Sequence, residues 1–242
     1  MESLDPSLIA AVIPVLNEAG AIGPMLGRLP RDIVGTAIVV DGGSNDGTQA
    51  EAAASGATVI EEPRRGYGRA CQTGADHAAN IGADIVVFMD GDGADAVERV
   101  ASLLTPLLAG NADFVLADRT GPGRDPGSMG AHQIFAGRLI GAAVGLMTGV
   151  RYRDMCAFRA LRLADLRRLG MRDMGYGWNL EMQIRAPRAG LSVLEVALPY
   201  HCRTAGRSKV AGTVGGTIRA GRRIIKTLVS VGLEADKKNL LS

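Results

Sequence analysis

Along the first 120 residues, short apolar runs alternate with segments whose apolar positions recur at helical spacing. The runs 8–13, 36–40, 57–61, 84–89 and 113–117 predict strands, and the segments 18–29, 46–55, 68–81 and 95–109 predict helices between them. A helix between two strands carries the chain back to the edge where it started, so the next strand runs parallel to the last. The pattern therefore predicts an α/β fold, a mostly parallel central sheet with helices on both faces. In such sheets ligands bind beyond the carboxyl ends of the strands. Pro14, Asn17 and Glu18 lie at the end of the first run, Asp41 follows the second, and Asp90 and Asp92 follow the fourth. These residues are expected to converge on one edge of the sheet.

A Gly/Pro-rich stretch, RTGPGRDPGSMG at 119–130, separates this half from a less regular one. Beyond it the pattern predicts a helix over 131–148, a strand over 157–161, a helix over 178–189, a strand over 192–198 and a last helix over 212–231. Pro187 is expected to kink or end the 178–189 helix. With no internal repeat, the chain reads as a single domain built of two halves, 1–120 and 121–242.

Composition narrows the class. Apolar residues make up 47% of the 242, aromatics only 4%, and there are 33 glycines, which suits close packing of helices on a sheet and excludes disorder. Cys71, Cys156 and Cys202 lie far apart with no CxxC pair, so neither a zinc site nor a disulfide framework is expected, and a reducing cytoplasm is the default. The N-terminus lacks the basic stretch of a signal peptide, and the longest weakly polar run, 139–149, is too short to span a bilayer. Charge is uneven: residues 201–242 hold nine Lys/Arg against two Asp/Glu, whereas residues 1–200 hold eighteen against twenty-three. A basic tail on an acidic body suggests an anionic partner, against the plainer reading of a solvated helix face.

The candidate chemistry centres on DIVVFMDGDGADAVERV, residues 84–100. A buried strand that ends in Asp90, Asp92 and Asp95 concentrates negative charge that something positive must offset. Asp95 suits the N-cap of the next helix. Asp90 and Asp92, spaced by a glycine that lets the backbone turn tightly, suit Mg²⁺ or Mn²⁺ holding a diphosphate, since hard oxygen ligands with open coordination positions favour that pairing. Phosphate groups also need fixed cationic donors, for which Arg119, Arg203 and Lys209 are candidates. His132 and Gln133 either line an acceptor entrance or cap a helix. His77 reads as an ordinary helix residue.

Three motifs, AVIPVLNEAGAI at 11–22, VVDGGSNDGT at 39–48 and the DGD at 90–92, together resemble the donor half of glycosyltransferase family 2, whose members have the GT-A fold. The resemblance implies that Pro14, Asn17, Glu18 and Asp41 hold the nucleotide and that Asp90 and Asp92 hold metal and diphosphate. RRGYGRACQTGADHA at 64–78 is similar to the segment that leads a helix towards the donor, which implicates Gly68 and Arg69; it is not a dinucleotide fingerprint, because the third glycine is missing. DMCAFRALR at 154–162, YGWNLEMQIRAPRAG at 176–190 and LEVALPYHCRTAGRSK at 194–209 follow one another as in the dolichol- and polyprenyl-phosphate sugar synthases of that family. The most specific piece is Arg203, Gly206, Ser208 and Lys209. Two departures are Ala94, where those synthases often carry a polar residue, and the absence of the membrane spans that many relatives have after this segment.

The resemblance implies an inverting hexosyltransferase using GDP-mannose or UDP-glucose, with a nucleotide-sugar half at 1–120 and an acceptor half at 121–242. With a polyprenyl phosphate acceptor, held by Arg119, His132, Arg203, Ser208 and Lys209, no general base is required. With a hydroxyl acceptor one is, and Glu181 is the candidate, against a role in orienting Arg203 or the acceptor loop. Two other classes are a non-catalytic nucleotide-sugar-binding subunit and a nucleotidyltransferase; the latter would need a basic Gly-rich loop where PVLNEAG stands. No nucleic-acid partner is expected. On a helical wheel of 213–231, Val214, Ile218, Ile225, Leu228 and Val229 gather on one side and Arg219, Arg222, Arg223 and Lys226 on an adjoining one, with Lys237 and Lys238 beyond. That amphipathic pattern fits a helix lying in the membrane interface or one whose apolar face packs on the sheet with its basic face exposed, and either predicts a cytoplasmic protein drawn peripherally to an anionic membrane surface.

Overall fold

The computed structural model describes residues 5–205 and Thr227. A seven-stranded sheet in the order β3-β2-β1-β4-β6-β5-β7 forms its centre. The strands are β1 (Ile9–Val15), β2 (Thr36–Asp41), β3 (Thr58–Glu61), β4 (Ile85–Phe88), β5 (Phe114–Asp118), β6 (Arg159–Arg162) and β7 (Val193–Ala197). The helices are α1 (Ile22–Arg28), α2 (Thr48–Ala54), α3 (Tyr67–Asn80), α4 (Val100–Leu108), α5 (Ala131–Thr148), α6 (Leu163–Leu169) and α7 (Trp178–Arg188). All strand pairings are parallel except those of β6, which runs antiparallel to both β4 and β5. The fold is the mostly parallel α/β sheet that the apolar pattern predicts.

Both faces of β1 are buried, and its alternate residues feed two cores. Ile9, Ala11, Ile13 and Val15 join the apolar sides of α1, α2 and α4, while Ala10 and Val12 join those of α3, α6 and α7. Small residues let α3 lie close on the sheet: Ala70, Ala75 and Ala78 are buried there, and a Cβ on Gly74 would strike the Val12 side chain. The high glycine and low aromatic content has this physical use. Pro14 is tolerated inside β1 because pairing with β4 ends at Val12–Phe88, leaving Pro14 beside β2 only.

Some elements differ from expectation. The first helix begins at Ile22, because Asn17 takes a left-handed φ of 52° and the loop 16–21 is held by side chains from the next loop. The 95–109 helix starts as a 3₁₀ turn, Val97–Arg99, before α4. α6 was not anticipated: its seven residues continue straight from β6 and carry only Leu163, Leu166 and Leu169 inward. Pro187 sits in the last turn of α7, which ends one residue later. The expected helix over 212–231 lies outside the described residues, as do Gly206, Ser208 and Lys209. Among the described residues, no helix is long and apolar enough to cross a membrane.

The antiparallel β6 shapes the edge where the site forms. It pairs Arg159 with Phe88 of β4 and Leu116 of β5, so its amino end lies beside their carboxyl ends. Asp90 and Asp92 after β4, Arg119 after β5, Asp154 before β6 and Tyr200 after β7 are thereby delivered to one edge.

Candidate active site

The loop after β4 places three carboxylates back to back. Asp92 is buried, its Oδ1 accepting the Ala94 amide at 2.9 Å and its Oδ2 accepting from Arg203 Nη2 at 2.8 Å. Asp95 is buried too, and its Oδ2 accepts the Asp90 amide at 3.1 Å. This corrects the expectation that Asp95 caps a helix: its carboxylate turns back to brace the Asp90 loop, and the helix starts later without a side-chain cap. Burial first, and then the charges of Asp90 and Asp92, push Asp95 up to about 8. Burial and Asp92 push Asp90 up to about 6, against the pull of Arg119 and Arg203. The glycines divide the work of the turn. Gly93 carries the left-handed φ of 78°, while Gly91 is required for space, since a Cβ there would lie 2.6 Å from Val15 Cγ1.

The loops after β1 and β2 interlock beside this turn. Asp41 is fully buried, and its Oδ2 accepts from the amides of Gly43 and Ser44 at 3.1 and 2.9 Å and from Gln49 Nε2 at 2.6 Å; the Ser44 hydroxyl donates to Oδ1. The Ser44 hydroxyl also accepts the Asn17 amide at 2.8 Å, and Asn17 Oδ1 accepts the Asn45 amide at 3.0 Å. Asp41 and Asn17 thus hold the shape of a loop pair, with Asn17 exposed on its rim. Glu18 is buried, with its amide on Thr48 Oγ1 at 2.9 Å and its Oε1 3.8 Å from Arg203 Nη1. Arg203 therefore spans the ends of β1 and β4, where the strand order reverses direction.

Beyond the carboxylates opens a cavity of about 590 Å³. Arg119, Arg203, Tyr200 and His201 form part of its polar lining, and Gln133, Ala136, Gly137 and Ile140 line it from α5. Arg119 is fixed rather than mobile. Its Nε and Nη2 donate to the two oxygens of Asp154 at 2.7 and 2.9 Å, its own amide donates to Asp154 Oδ2 at 3.1 Å, and it stacks 4.9 Å from the Tyr200 ring centroid. Burial alone would raise Asp154, but the Arg119 charge and hydrogen bonds hold it below the usual carboxylate range.

Other expected site residues are placed differently. Glu181 is buried on α7 and absent from the cavity lining; it accepts the amides of Arg172 and Asp173 at 3.0 and 2.7 Å and Arg185 Nε at 2.7 Å. These bonds make it an anchor for the loop before α7, in keeping with the positioning alternative. The amides of Gly68 and Arg69 donate to the carbonyls of Gly175 and Met174 at 3.1 and 3.0 Å. A Cβ on Gly68 would strike the Asp173 carbonyl. The glycine thus serves passage of that loop, and the first turn of α3 has no free amides at these positions to offer a donor phosphate. His132 is exposed and outside the cavity lining, while Gln133 lines the cavity and caps α5 by accepting the Gly130 amide at 2.8 Å. Tyr67 reaches from α3 to Asp90 Oδ1 at 3.4 Å and stacks on Tyr176 at the cavity. Asp154, Tyr67, Tyr200 and His201 are the residues that sequence reasoning missed. A Tyr-His pair beside Arg203 is the one signal that could have drawn attention to the last two.

Among the described residues, no group of three or more His, Cys, Asp or Glu side chains could hold a metal ion by itself. Asp90 and Asp92 nonetheless fit one. They supply two hard oxygen donors at the carboxyl end of β4, and a Mg²⁺ or Mn²⁺ held there would complete its shell with ligand and water oxygens.

Comparisons with known proteins agree with this geometry. An uncharacterized glycosyltransferase of Mycobacterium tuberculosis is 34% identical over 88% of this chain and 94% of its own. The undecaprenyl-phosphate mannosyltransferase of Micrococcus luteus is 31% identical over 86% of this chain and 89% of its own. Among solved structures, the glucosyl-3-phosphoglycerate synthase of M. tuberculosis, in complex with Mn²⁺, UDP-glucose and phosphoglyceric acid, superposes with a TM-score of 0.72 at 27% identity, covering 93% of this chain and 79% of that one. The same synthase, solved with Mg²⁺ and UDP, gives a TM-score of 0.71 at 26% identity, covering 92% and 78%. Residues 10–168 match the family Glycosyl transferase family 2, and with the GT-A-like sheet and the carboxylate pair at its edge, the chain belongs to that family of glycosyltransferases.

Proposed function

We propose that the protein transfers a hexose from a nucleoside diphosphate sugar to the phosphate of a polyprenyl phosphate. The single observation that carries this reading is the cavity beside Asp92. Two guanidinium groups, Arg119 and Arg203, face it, and α5, which lines it with Gln133, Ala136, Gly137 and Ile140, carries an exposed apolar stripe on another face. Phe135, Leu139 and Leu146 on that stripe are 71%, 63% and 92% exposed, with Arg138 exposed among them. A ligand with an anionic head and a long apolar tail matches both features. The Micrococcus luteus mannosyltransferase, similar over most of its length, is named for such an acceptor.

In this reading residues 1–120 present the donor and residues from 121 onward the acceptor. Glu18, Asp41 and the Asn17 loop shape the donor nucleotide pocket, and Asp90 and Asp92 hold a divalent cation. When bound, that cation neutralises charge building on the departing diphosphate. Arg119, rigid on Asp154, holds an acceptor phosphate oxygen against the anomeric carbon. The acceptor oxygen forms a bond to that carbon as the bond to the diphosphate breaks on its opposite face, with inversion. No base is needed, because a phosphate monoester with a second pKa of about 6 is largely ionised at neutral pH. The cavity accords with this: among the described residues its one lining carboxylate, Asp154, is committed to Arg119.

A second reading, transfer to a hydroxyl acceptor, is favoured by His201. It lines the cavity with its ring 3.3 Å from Asp125 Oδ2 and 3.6 Å from Glu98 Oε1, and it is better placed than Glu181 to take a proton. The test is transfer of label from GDP-mannose or UDP-glucose into solvent-extractable lipid, with undecaprenyl phosphate and Mn²⁺ present. Labelled lipid made by the wild type and lost in EDTA or in Asp92→Asn is the expected result. Full activity of Asp92→Asn would remove the metal assignment, and no labelled lipid from any donor would remove the acceptor.

A further inference from the structure

We propose that Arg203 is a stand-in cation: it holds the Asp92 carboxylate while no metal is bound, and metal loading releases it towards the acceptor phosphate. This deepens the function proposed above and rests on that reading of the Asp90–Asp92 pair.

The backbone around Arg203 is stapled to the acidic loop. Tyr200 bridges Asp95, the His201 amide donates to the Ala94 carbonyl at 2.8 Å, and the Thr204 amide donates to the Asp92 carbonyl at 3.3 Å. Thr204 packs so near Gly93 that a Cβ there would lie 2.6 Å from its Oγ1. The segment is therefore held in place, and what can move is the Arg203 side chain, which is 34% exposed. Of the two Asp92 oxygens, Oδ1 already accepts the Ala94 amide, which leaves Oδ2 the more open to a metal, and Arg203 Nη2 sits on it at 2.8 Å. Arg203 Nη1 lies 3.8 Å from Glu18, so one guanidinium bridges carboxylates from two loops.

A divalent cation on the same oxygen would stand within a few ångströms of that guanidinium, and like charges so close repel strongly in a partly buried site. One of the two has to leave. Arg203 already lines the cavity shared with Arg119, so rotation of its side chain carries it to where an acceptor phosphate would bind. Charge at the site then stays balanced in both states, and the metal is loaded before the acceptor is gripped.

A residue that merely shapes the site and one that competes with the metal predict opposite signs. The experiment is titration of the full chain with Mn²⁺ alone, without nucleotide, at one neutral pH, reading free Mn²⁺ by electron paramagnetic resonance. Wild type, Arg203→Gln, Arg203→Lys and Asp92→Asn are compared, with circular dichroism confirming the fold. Removing a competing unit charge should tighten Mn²⁺ binding by about tenfold in Arg203→Gln, with Arg203→Lys between it and the wild type. Unchanged or weaker binding in a folded Arg203→Gln would overturn the exchange; if binding still required Asp92, the proposed function would stand. Mn²⁺ binding that is the same in Asp92→Asn as in the wild type would overturn both.

Discussion

At the scale of single residues, the site is a negative cluster held together by placement. Asp90 and Asp92 were legible in the sequence because an apolar run that ends in carboxylates has few structural excuses. The role of Asp95 was not, because a capping carboxylate and one that turns back on its own loop leave the same local signature. Arg119 was legible as a cation, but its partner Asp154 is 35 residues away, a contact only the fold creates. The cluster has a pH signature. In the metal-free protein Asp95 titrates at about 8 against an ordinary value of 3.8, so between those values the folded state holds a proton that the unfolded chain has released. Stability from this group is complete at low pH and is lost as pH rises through about 8. Thermal unfolding in EDTA should therefore show Asp95→Asn gaining on the wild type as pH rises from 5 towards about 8. A constant difference across that range would show that Asp95 is ionised throughout.

At the scale of elements, one loop ties α3 to α7 and was invisible in sequence. Residues 170–177 take the first amides of α3, contact Thr227 through Asp173, and are anchored to α7 by Glu181. Gly68, a candidate donor contact, and Glu181, a candidate base or positioning residue, both take part in this packing arrangement. α6 escaped for a related reason, since a seven-residue helix that follows a strand without a break has too few turns to show its period. The longer α5 and α7 have enough turns to be read from the sequence. Losing the Glu181 carboxylate removes a buried acceptor shared by Arg185 Nε and the amides of Arg172 and Asp173, so Glu181→Ala should cost roughly 3 kcal/mol of stability in chemical denaturation. Glu181→Gln should keep more than about a tenth of the transfer rate, whereas loss of a general base costs a hundredfold or more. A stable Glu181→Gln protein with a thousandfold lower kcat would restore Glu181 to the chemistry.

At the scale of the molecule, the parallel half of the sheet followed from strand and helix alternation, and so did the convergence of polar residues on one edge. The insertion of β6 between β4 and β5 did not follow, because strand order across a sheet is set by long-range pairing that no local pattern encodes. That insertion brings Arg119 and Asp154 to the edge where Asp92 lies. α5, one face of which lines the cavity, turns an apolar stripe outward on another. In the proposed reading that stripe meets the membrane that supplies the acceptor, so Phe135→Ser, Leu139→Ser and Leu146→Ser together should reduce co-sedimentation with anionic vesicles. They should lower transfer to a long-chain acceptor and spare a short, water-soluble prenyl phosphate. Equal loss with both acceptors would assign the stripe to folding. The central claim, however, is the acceptor itself. One assay tests it most directly: kcat/KM with undecaprenyl phosphate, undecaprenol and 3-phosphoglycerate, measured with the same donor and Mn²⁺. Efficient transfer to undecaprenyl phosphate, with the unphosphorylated alcohol and 3-phosphoglycerate both at least a hundredfold poorer, is the predicted result, since two arginines and an apolar stripe each contribute to selection. Preference for 3-phosphoglycerate, or equal use of the alcohol, would contradict it.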